Sequence, residues 1–189
     1  LNISILFAIG GDGTLRGASA IAREVEKRGC KIAVIAIPKT IDNDISFVSR
    51  TFGFETAVEA SRSVIQAAHI ESKGADNGVG LVKLMGRDSG FIAAQATIAN
   101  ADVNFCLIPE VPFSLYGERG LLQKLEERLR RRRHAVIVVA EGAGQDLIAG
   151  DERCDASGNK LHEDIGVFLK NSIVEHFKKH QEPITVKYI

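Results

Sequence analysis

Apolar runs rich in Val and Ile recur along the chain at residues 3–9, 31–37, 79–84, 103–108, 135–139 and, more weakly, 185–189. Unbroken runs of this length suit strands buried on both faces of a sheet. Between them lie segments with helical spacing, at residues 15–28, 54–70, 89–100, 118–132 and 164–180. In the second of these Ala57, Val58, Ser61, Val64, Ile65 and Ala68 repeat at intervals of three and four, the stripe of a helix packed on a sheet. Strand alternating with helix predicts an α/β fold with mainly parallel sheets, whose binding sites lie beyond the carboxyl ends of the strands. Residues 144–161, rich in Gly, Asp and Ser and without sustained periodicity, read as an exposed excursion.

Composition narrows the choice of ligands. The 189 residues give room for one large domain or two small ones, and 45% apolar with 25% charged residues is ordinary for a globular chain. Lys plus Arg and Asp plus Glu both number 24, a net charge of +0. There is thus no overall cationic field, no nucleic-acid partner is expected, and any bound anion must be held locally. The apolar runs fall short of a membrane span, so no membrane partner is expected either. Cys30, Cys106 and Cys154 are odd in number and widely spaced, which suggests neither a disulfide framework nor a cysteine zinc site and fits a reducing compartment. The densest charge run, residues 128–134, reads as the solvated end of a helix whose cations favour the C-terminal dipole.

The candidate chemistry sits at strand ends. The first strand ends in Gly10-Gly11-Asp12-Gly13-Thr14. Glycines at a strand-to-helix turn bring N–H groups close to a ligand at the positive end of a helix dipole, which makes a phosphate cradle. Asp12 within it would repel a bare phosphate and makes sense where Mg²⁺ bridges it to phosphate oxygens. The second strand ends in Pro38-Lys39-Thr40-Ile41-Asp42-Asn43-Asp44. If extended, that segment points Asp42 and Asp44 the same way, with the Lys39 cation beside them. One carboxylate can accept the proton of an attacking hydroxyl while the ammonium offsets charge on a migrating phosphoryl group. The plainer alternative is an Asx turn bonding its own backbone. The third strand ends in Met85-Gly86-Arg87-Asp88-Ser89-Gly90, where Arg87 offers a forked donor and Ser89 is placed to cap the next helix. The fifth ends in Glu141-Gly142-Ala143-Gly144, where Glu141 can accept sugar hydroxyls.

Taken in order and spacing, these motifs, with Thr51-Phe52-Gly53-Phe54-Glu55-Thr56-Ala57 and Ile108-Pro109-Glu110, resemble the phosphofructokinase family nearly end to end. The resemblance implies two Rossmann-like lobes, with residues 1–53 as part of the first, nucleotide-binding lobe and residues 54–189 as the second, sugar-phosphate-binding lobe. It implies that Gly11, Asp12, Gly13 and Thr14 contact the nucleotide phosphates, with Asp12 as the Mg²⁺ residue. Asp42 becomes the general base acting on the sugar 1-hydroxyl, with Lys39 as the assisting cation and Thr40 and Asp44 beside it. Met85, Gly86, Arg87 and Glu141 would hold fructose 6-phosphate.

The resemblance also bears on the donor. Family members that use pyrophosphate tend to carry Asp where this chain has Gly13, and Lys where Lys39 stands. The mixture resembles the ATP-dependent enzymes of plants and some protists, and Gly13 weighs more because a missing side chain opens space for a nucleotide. ATP is therefore the expected co-substrate, and pyrophosphate the alternative. Lipid and NAD kinases share the glycine-rich cradle, but the segment at residues 38–44 followed by Met85-Gly86-Arg87 argues against them. Gly78 stands where bacterial relatives place an arginine that reaches a neighbouring subunit. The family's first Gly-rich loop and its last sugar-phosphate motif have no counterpart in these residues, which makes the chain look like a central fragment, expected to be inactive alone. A truncated regulatory module is the competing reading. The resemblance further implies a homo-oligomer, dimer or tetramer, in a cytoplasmic setting, with a plastid as the alternative.

Overall fold

The computed structural model describes residues 2–148 and 161–189. The chain divides into two compact units, Leu1–Thr56 and Ala57–Ile189.

In the first unit β1 (Ile5–Gly10) and β2 (Ala33–Thr40) pair in parallel, Ile5 opposite Ala33 and Gly10 opposite Pro38. A short β3 (Phe52–Gly53) joins β2 opposite Lys39 and Thr40. Parallel pairing demands a crossover, and α1 (Asp12–Lys27) supplies it. Leu15, Ala18, Ala22 and Val25 form its buried and half-buried stripe, and the helix packs on β1 and β2. Burial of these strands on both faces, as their sequence suggests, does not occur. Ile5, Phe7 and Ile9 share one face of β1 and are 52%, 56% and 63% exposed. One helix covers one face of a sheet, and the same apolar run serves whether the other face is covered or open.

In the second unit the order is β5-β6-β4-β7, all parallel: β5 (Phe105–Leu107), β6 (His134–Ala140), β4 (Gly78–Leu84) and β7 (Thr185–Tyr188). Here burial on both faces is met. Val79, Leu81, Ile137 and Val139 meet Leu125 and Leu129 of α4 (Leu121–Arg132) and Leu169, Ile173 and Phe177 of α5 (Ile165–Lys179). On the opposite face Val82, Val136 and Val138 meet Ile65 and Ala68 of α2 (Phe54–Lys73) and Ala93 and Ala96 of α3 (Phe91–Ala99). The alternation of 136 and 138 with 137 and 139 is the period of two that sends neighbouring residues to opposite faces. The stripe expected on α2 is the one found: Ser61, Ile65 and Ala68 are buried, and Ala57, Val58 and Val64 half-buried.

The basic run closes α4 as its charge pattern predicts. Arg130, Arg131 and Arg132 occupy the last turn, Arg133 caps it in the left-handed region (φ 64°) and pairs with Asp76, and Arg130 lies near Glu126 and Glu182. Of the excursion, residues 145–147 form a short 3₁₀ turn, and residues 149–160 lie outside the described residues. Cys30 and Cys106 are free thiols, and Cys154 falls outside the described residues.

Candidate active site

Both glycine-rich and acidic motifs of the first unit sit at the carboxyl edge of its sheet. The pairing of Gly10 with Pro38 sets residues 10–14 beside residues 38–40. A Cβ on Gly11 would rest 3.7 Å from Thr40 Cβ and 3.8 Å from the Lys39 carbonyl oxygen, so the motifs are in contact. The helix starts earlier than its apolar stripe indicates. Asp12, Gly13 and Thr14 form the first turn of α1, and the N-cap, Gly11, has no side chain to accept from the helix N–H groups. The leading N–H groups of a helix lack intrahelical partners, so this end is suited to an anion. Gly10 is glycine because a Cβ there would stand 2.2 Å from Thr14 Oγ1 and 2.6 Å from Thr14 Cβ. At Gly13, by contrast, a Cβ would meet no described atom within 4 Å. Packing does not demand glycine at 13.

Asp12 is exposed, and its Oδ2 lies 2.6 Å from Arg16 of the next turn. Sequence reasoning passed over Arg16, although an Asp–Arg pair four residues apart on a helix was the available signal. Mg²⁺ takes oxygen donors and is commonly held by one or two carboxylates together with substrate phosphates. The exposed Asp12 carboxylate, at a helix end suited to phosphate, fits that requirement.

The acidic segment is shaped by Asn43. Its φ of 55° turns the chain between Asp42 and Asp44, so the premise of an extended segment with both carboxylates on one side fails. Asp42 is half-buried and Asp44 exposed. The turn is held by side chains. Asn43 Oδ1 accepts from the Thr51 N–H at 2.8 Å, the Thr51 hydroxyl donates to the Thr40 carbonyl at 2.7 Å, and the Asp42 N–H donates to Thr40 Oγ1 at 3.2 Å. Asn43 Oδ1 thus accepts from a residue eight positions on, which is not the local Asx turn weighed as the plainer alternative, while Thr40 holds the Asp42 N–H. Lys39 is exposed one residue before Thr40.

The second unit assembles the other candidates. Leu84 pairs with Ala140, and the Glu141 N–H donates to the Leu84 carbonyl at 2.9 Å, so the ends of β4 and β6 bring residues 85–87 beside Glu141. Gly142 allows the approach: a Cβ there would lie 1.8 Å from the Arg87 carbonyl oxygen. Met85 is exposed, Gly86 buried, and Arg87 and Glu141 half-buried. Gln145 secures the Glu141 turn, its Nε2 donating to the carbonyls of Glu141 and Glu163 at 2.9 and 3.1 Å. The cap position expected at Ser89 falls one residue later. Gly90 is the N-cap of α3 and receives no side-chain cap, while its own N–H donates to Glu110 Oε1 at 2.7 Å. Glu110 thereby ties the end of the 85–90 loop to the segment after β5, a role invisible without the register of β5 on β6. His162, its Nε2 3.6 Å from Asp88 Oδ1, is a further neighbour of this loop that no sequence motif flagged.

Asp164 anchors the same edge of the sheet from α5. Its Oδ1 accepts from the N–H groups of Gly166 and Val167 and from the Tyr188 hydroxyl, and Oδ2 lies 3.0 Å from Lys83 Nζ. Burial pushes the Asp164 carboxyl up, but the bonds from Tyr188, Lys83 and Val167 outweigh it and hold the group below its usual range.

Comparison with known proteins identifies the family of the chain. The family model described as Phosphofructokinase matches residues 1–187. ATP-dependent 6-phosphofructokinase 7 of Arabidopsis thaliana is 54% identical over 190 residues, 99% of this chain and 39% of its own length. The ATP-dependent 6-phosphofructokinase of Borreliella burgdorferi is 52% identical over 196 residues, 100% of this chain and 44% of its own. That of Trypanosoma brucei brucei is 52% identical over 192 residues, 100% and 39% respectively. Among solved structures, the pyrophosphate-dependent phosphofructokinase from Marinobacter aquaeolei superposes with a TM-score of 0.68 at 21% identity, covering 99% of this chain and 44% of that one. Phosphofructokinase from Saccharomyces cerevisiae gives 0.66 at 23%, covering 99% and 25%. This chain therefore spans less than half the length of the relatives it matches. With the family model running over all but its last two residues, the chain belongs to the phosphofructokinase family.

Proposed function

We propose that the chain carries the phosphoryl-transfer machinery of an ATP-dependent 6-phosphofructokinase, which moves the γ-phosphoryl group of ATP to the 1-hydroxyl of fructose 6-phosphate. The observation that carries this reading is the register of β1 on β2, which sets an uncapped helix N-terminus beside the Thr40–Asp42 backbone. The names of the relatives at 50–54% identity support it.

Residues 11–14 receive the nucleotide phosphates through N–H groups of the first helical turn. Asp12 would hold Mg²⁺, which when bound neutralises charge on the phosphate oxygens. The Asp42 carboxylate takes the proton from the sugar 1-hydroxyl as the oxygen attacks, and its backbone is held for that task by Thr40 and, through Thr51, by Asn43. Lys39 offsets charge on the phosphoryl group, and Asp44 and Thr40 flank the acceptor. Met85, Gly86, Arg87 and Glu141 bind the sugar phosphate, Arg87 through its guanidinium and Glu141 through sugar hydroxyls. Residues 1–53 serve the nucleotide and residues 54–189 mainly the sugar phosphate. The absence of packing constraint at Gly13 supports ATP as donor: an acid there would crowd a nucleotide rather than the protein. A homo-oligomeric assembly in the cytoplasm, or in a plastid as two relatives named chloroplastic suggest, completes the proposal. Among the described residues no helix is long and apolar enough to cross a membrane.

The test uses the protein that carries this chain. Turnover with ATP is expected, and Asp42→Asn is expected to lower kcat by about 10²- to 10⁴-fold with the fold intact by circular dichroism. Turnover with pyrophosphate and none with ATP would overturn the donor, and full activity of Asp42→Asn would overturn the base.

A further inference from the structure

Away from both strand-end clusters, two helices of the second unit gather three metal-binding side chains. His176 and His180 stand one turn apart on α5, and Glu126 of α4 lies against them. Glu126 Oε1 is 2.9 Å from His176 Nε2, the two imidazole rings are 4.5 Å apart, and one ligand atom from each residue lies within 4.8 Å of the others. Glu126 and His176 are 13% and 17% exposed, while His180 is open to solvent. The cluster borders a cavity of about 250 Å³ that Tyr116 and Gln123 also line, room enough for an ion and its water.

A hydrogen bond between His176 and Glu126 and a bond from His180 to the end of its own helix account for one ring nitrogen of each histidine, and the second nitrogen of His180 is left over. His180 Nδ1 lies 2.8 Å from the His176 carbonyl oxygen. A carbonyl only accepts, so Nδ1 carries a proton and Nε2 is the nitrogen left to offer a metal its lone pair in the neutral ring, the arrangement usual for a metal-bound histidine. Glu126 Oε2 faces Arg130 at 3.4 Å, which leaves Oε1 on the imidazole side. We propose that Glu126, His176 and His180 form a binding site for a borderline transition-metal ion, Zn²⁺ above all, with water in the fourth position. Two imidazoles select against Mg²⁺, which prefers oxygen donors, so the site is chemically distinct from Asp12. Zn–N bonds of about 2.05 Å set tetrahedral donors about 3.3 Å apart, so the Glu126–His176 pair, at 2.9 Å, opens by about 0.4 Å, and the exposed His180 ring, whose ligand atom lies within 4.8 Å of the others, closes by up to about 1.5 Å. The ion would replace the proton His176 shares with Glu126 and clamp α4 to α5 near the end of the arginine-rich helix. No cysteine takes part, which is why cysteine spacing gave no hint of it.

The experiment titrates the metal-stripped protein with Zn²⁺ by calorimetry and, in parallel, with Co²⁺ by visible absorption, in the presence of excess Mg²⁺. One equivalent of Zn²⁺ and intense tetrahedral Co²⁺ bands are expected. His180→Ala and Glu126→Gln should each weaken binding on the order of a hundredfold, the upper end of the loss seen even for outer-shell partners. His180 is exposed, so its variant decides the matter if Glu126→Gln fails to fold. Zn²⁺ affinity unchanged in His180→Ala, absence of the tetrahedral bands, or displacement by Mg²⁺ would each overturn the site.

Discussion

Gly142 offers a sharp perturbation because its nearest neighbour is backbone. A methyl group added there would stand 1.8 Å from the Arg87 carbonyl oxygen and 3.3 Å from Pro109 Cγ. No rotamer relieves a contact with a carbonyl. Carbon and carbonyl oxygen settle at about 3.3 Å, so Gly142→Ala must drive the 85–90 loop back by about 1.5 Å or move the Glu141 turn instead. Overpacking of that kind costs about 1–3 kcal/mol. With a urea slope of about 1–3 kcal/mol per molar, the denaturation midpoint should fall by roughly 1 M. Misplacement of a substrate-positioning group by about 1 Å can cost about a hundredfold. The proposed sugar-phosphate role of Arg87 and Glu141 therefore predicts a loss of that order in kcat/KM for fructose 6-phosphate, while affinity for ATP changes little. Urea melts followed by circular dichroism and initial-rate kinetics on the folded variant separate the two effects. An unchanged midpoint would refute the packing of the loop against Gly142. A lowered midpoint with unchanged fructose 6-phosphate kinetics would leave the packing standing and refute the sugar assignment.

Two further substitutions test the packing and the electrostatics. Gly17 lies inside α1, where a Cβ would meet no described atom within 4 Å; Gly17→Ala should stabilise by about 0.5–1 kcal/mol, read as a rise of about 1–4 °C in the melting midpoint, and a fall would show that this exposed helix surface is occupied. Asp164 has a folded-state pKa below its ordinary value despite burial, through Tyr188, Lys83 and Val167, so its contribution is present above the usual carboxylate range of about 4 and disappears as pH falls through the depressed value. Asp164→Asn keeps a capping oxygen and removes the charge, and it should flatten the acid limb of a stability-against-pH curve; an acid limb as steep as the wild type's would locate the effect elsewhere.

The positions of strands and helices along the chain were legible because period and length leave little choice: the runs at 79–84 and 135–139 become β4 and β6, buried on both faces. The same reasoning misjudged β1, since a run of Ile and Phe does not reveal how many layers cover it. The candidate residues were legible as residue types at strand ends, and the register then placed Gly11 against Thr40 and Glu141 against Leu84. What spacing could not disclose was the turn at Asn43, because a left-handed residue between two acids depends on Thr51, eight positions away. Glu110 and the Glu126–His176–His180 cluster were hidden for the same reason: their partners are 20 and 50 residues distant, and only packing brings them together.

The half-open sheet of the first unit has a kinetic meaning. Opening free energy follows the apolar surface a segment buries, and β4 and β6 bury far more than β1 does. Amide hydrogens on β1 and β2 should therefore exchange through local fluctuations while those of β6 wait for global unfolding. A phosphate ligand seated on residues 11–14 would act on the less deeply buried of the two sheets. Its binding free energy would appear there first, as slowed exchange in β1 and α1 growing with the logarithm of ligand concentration.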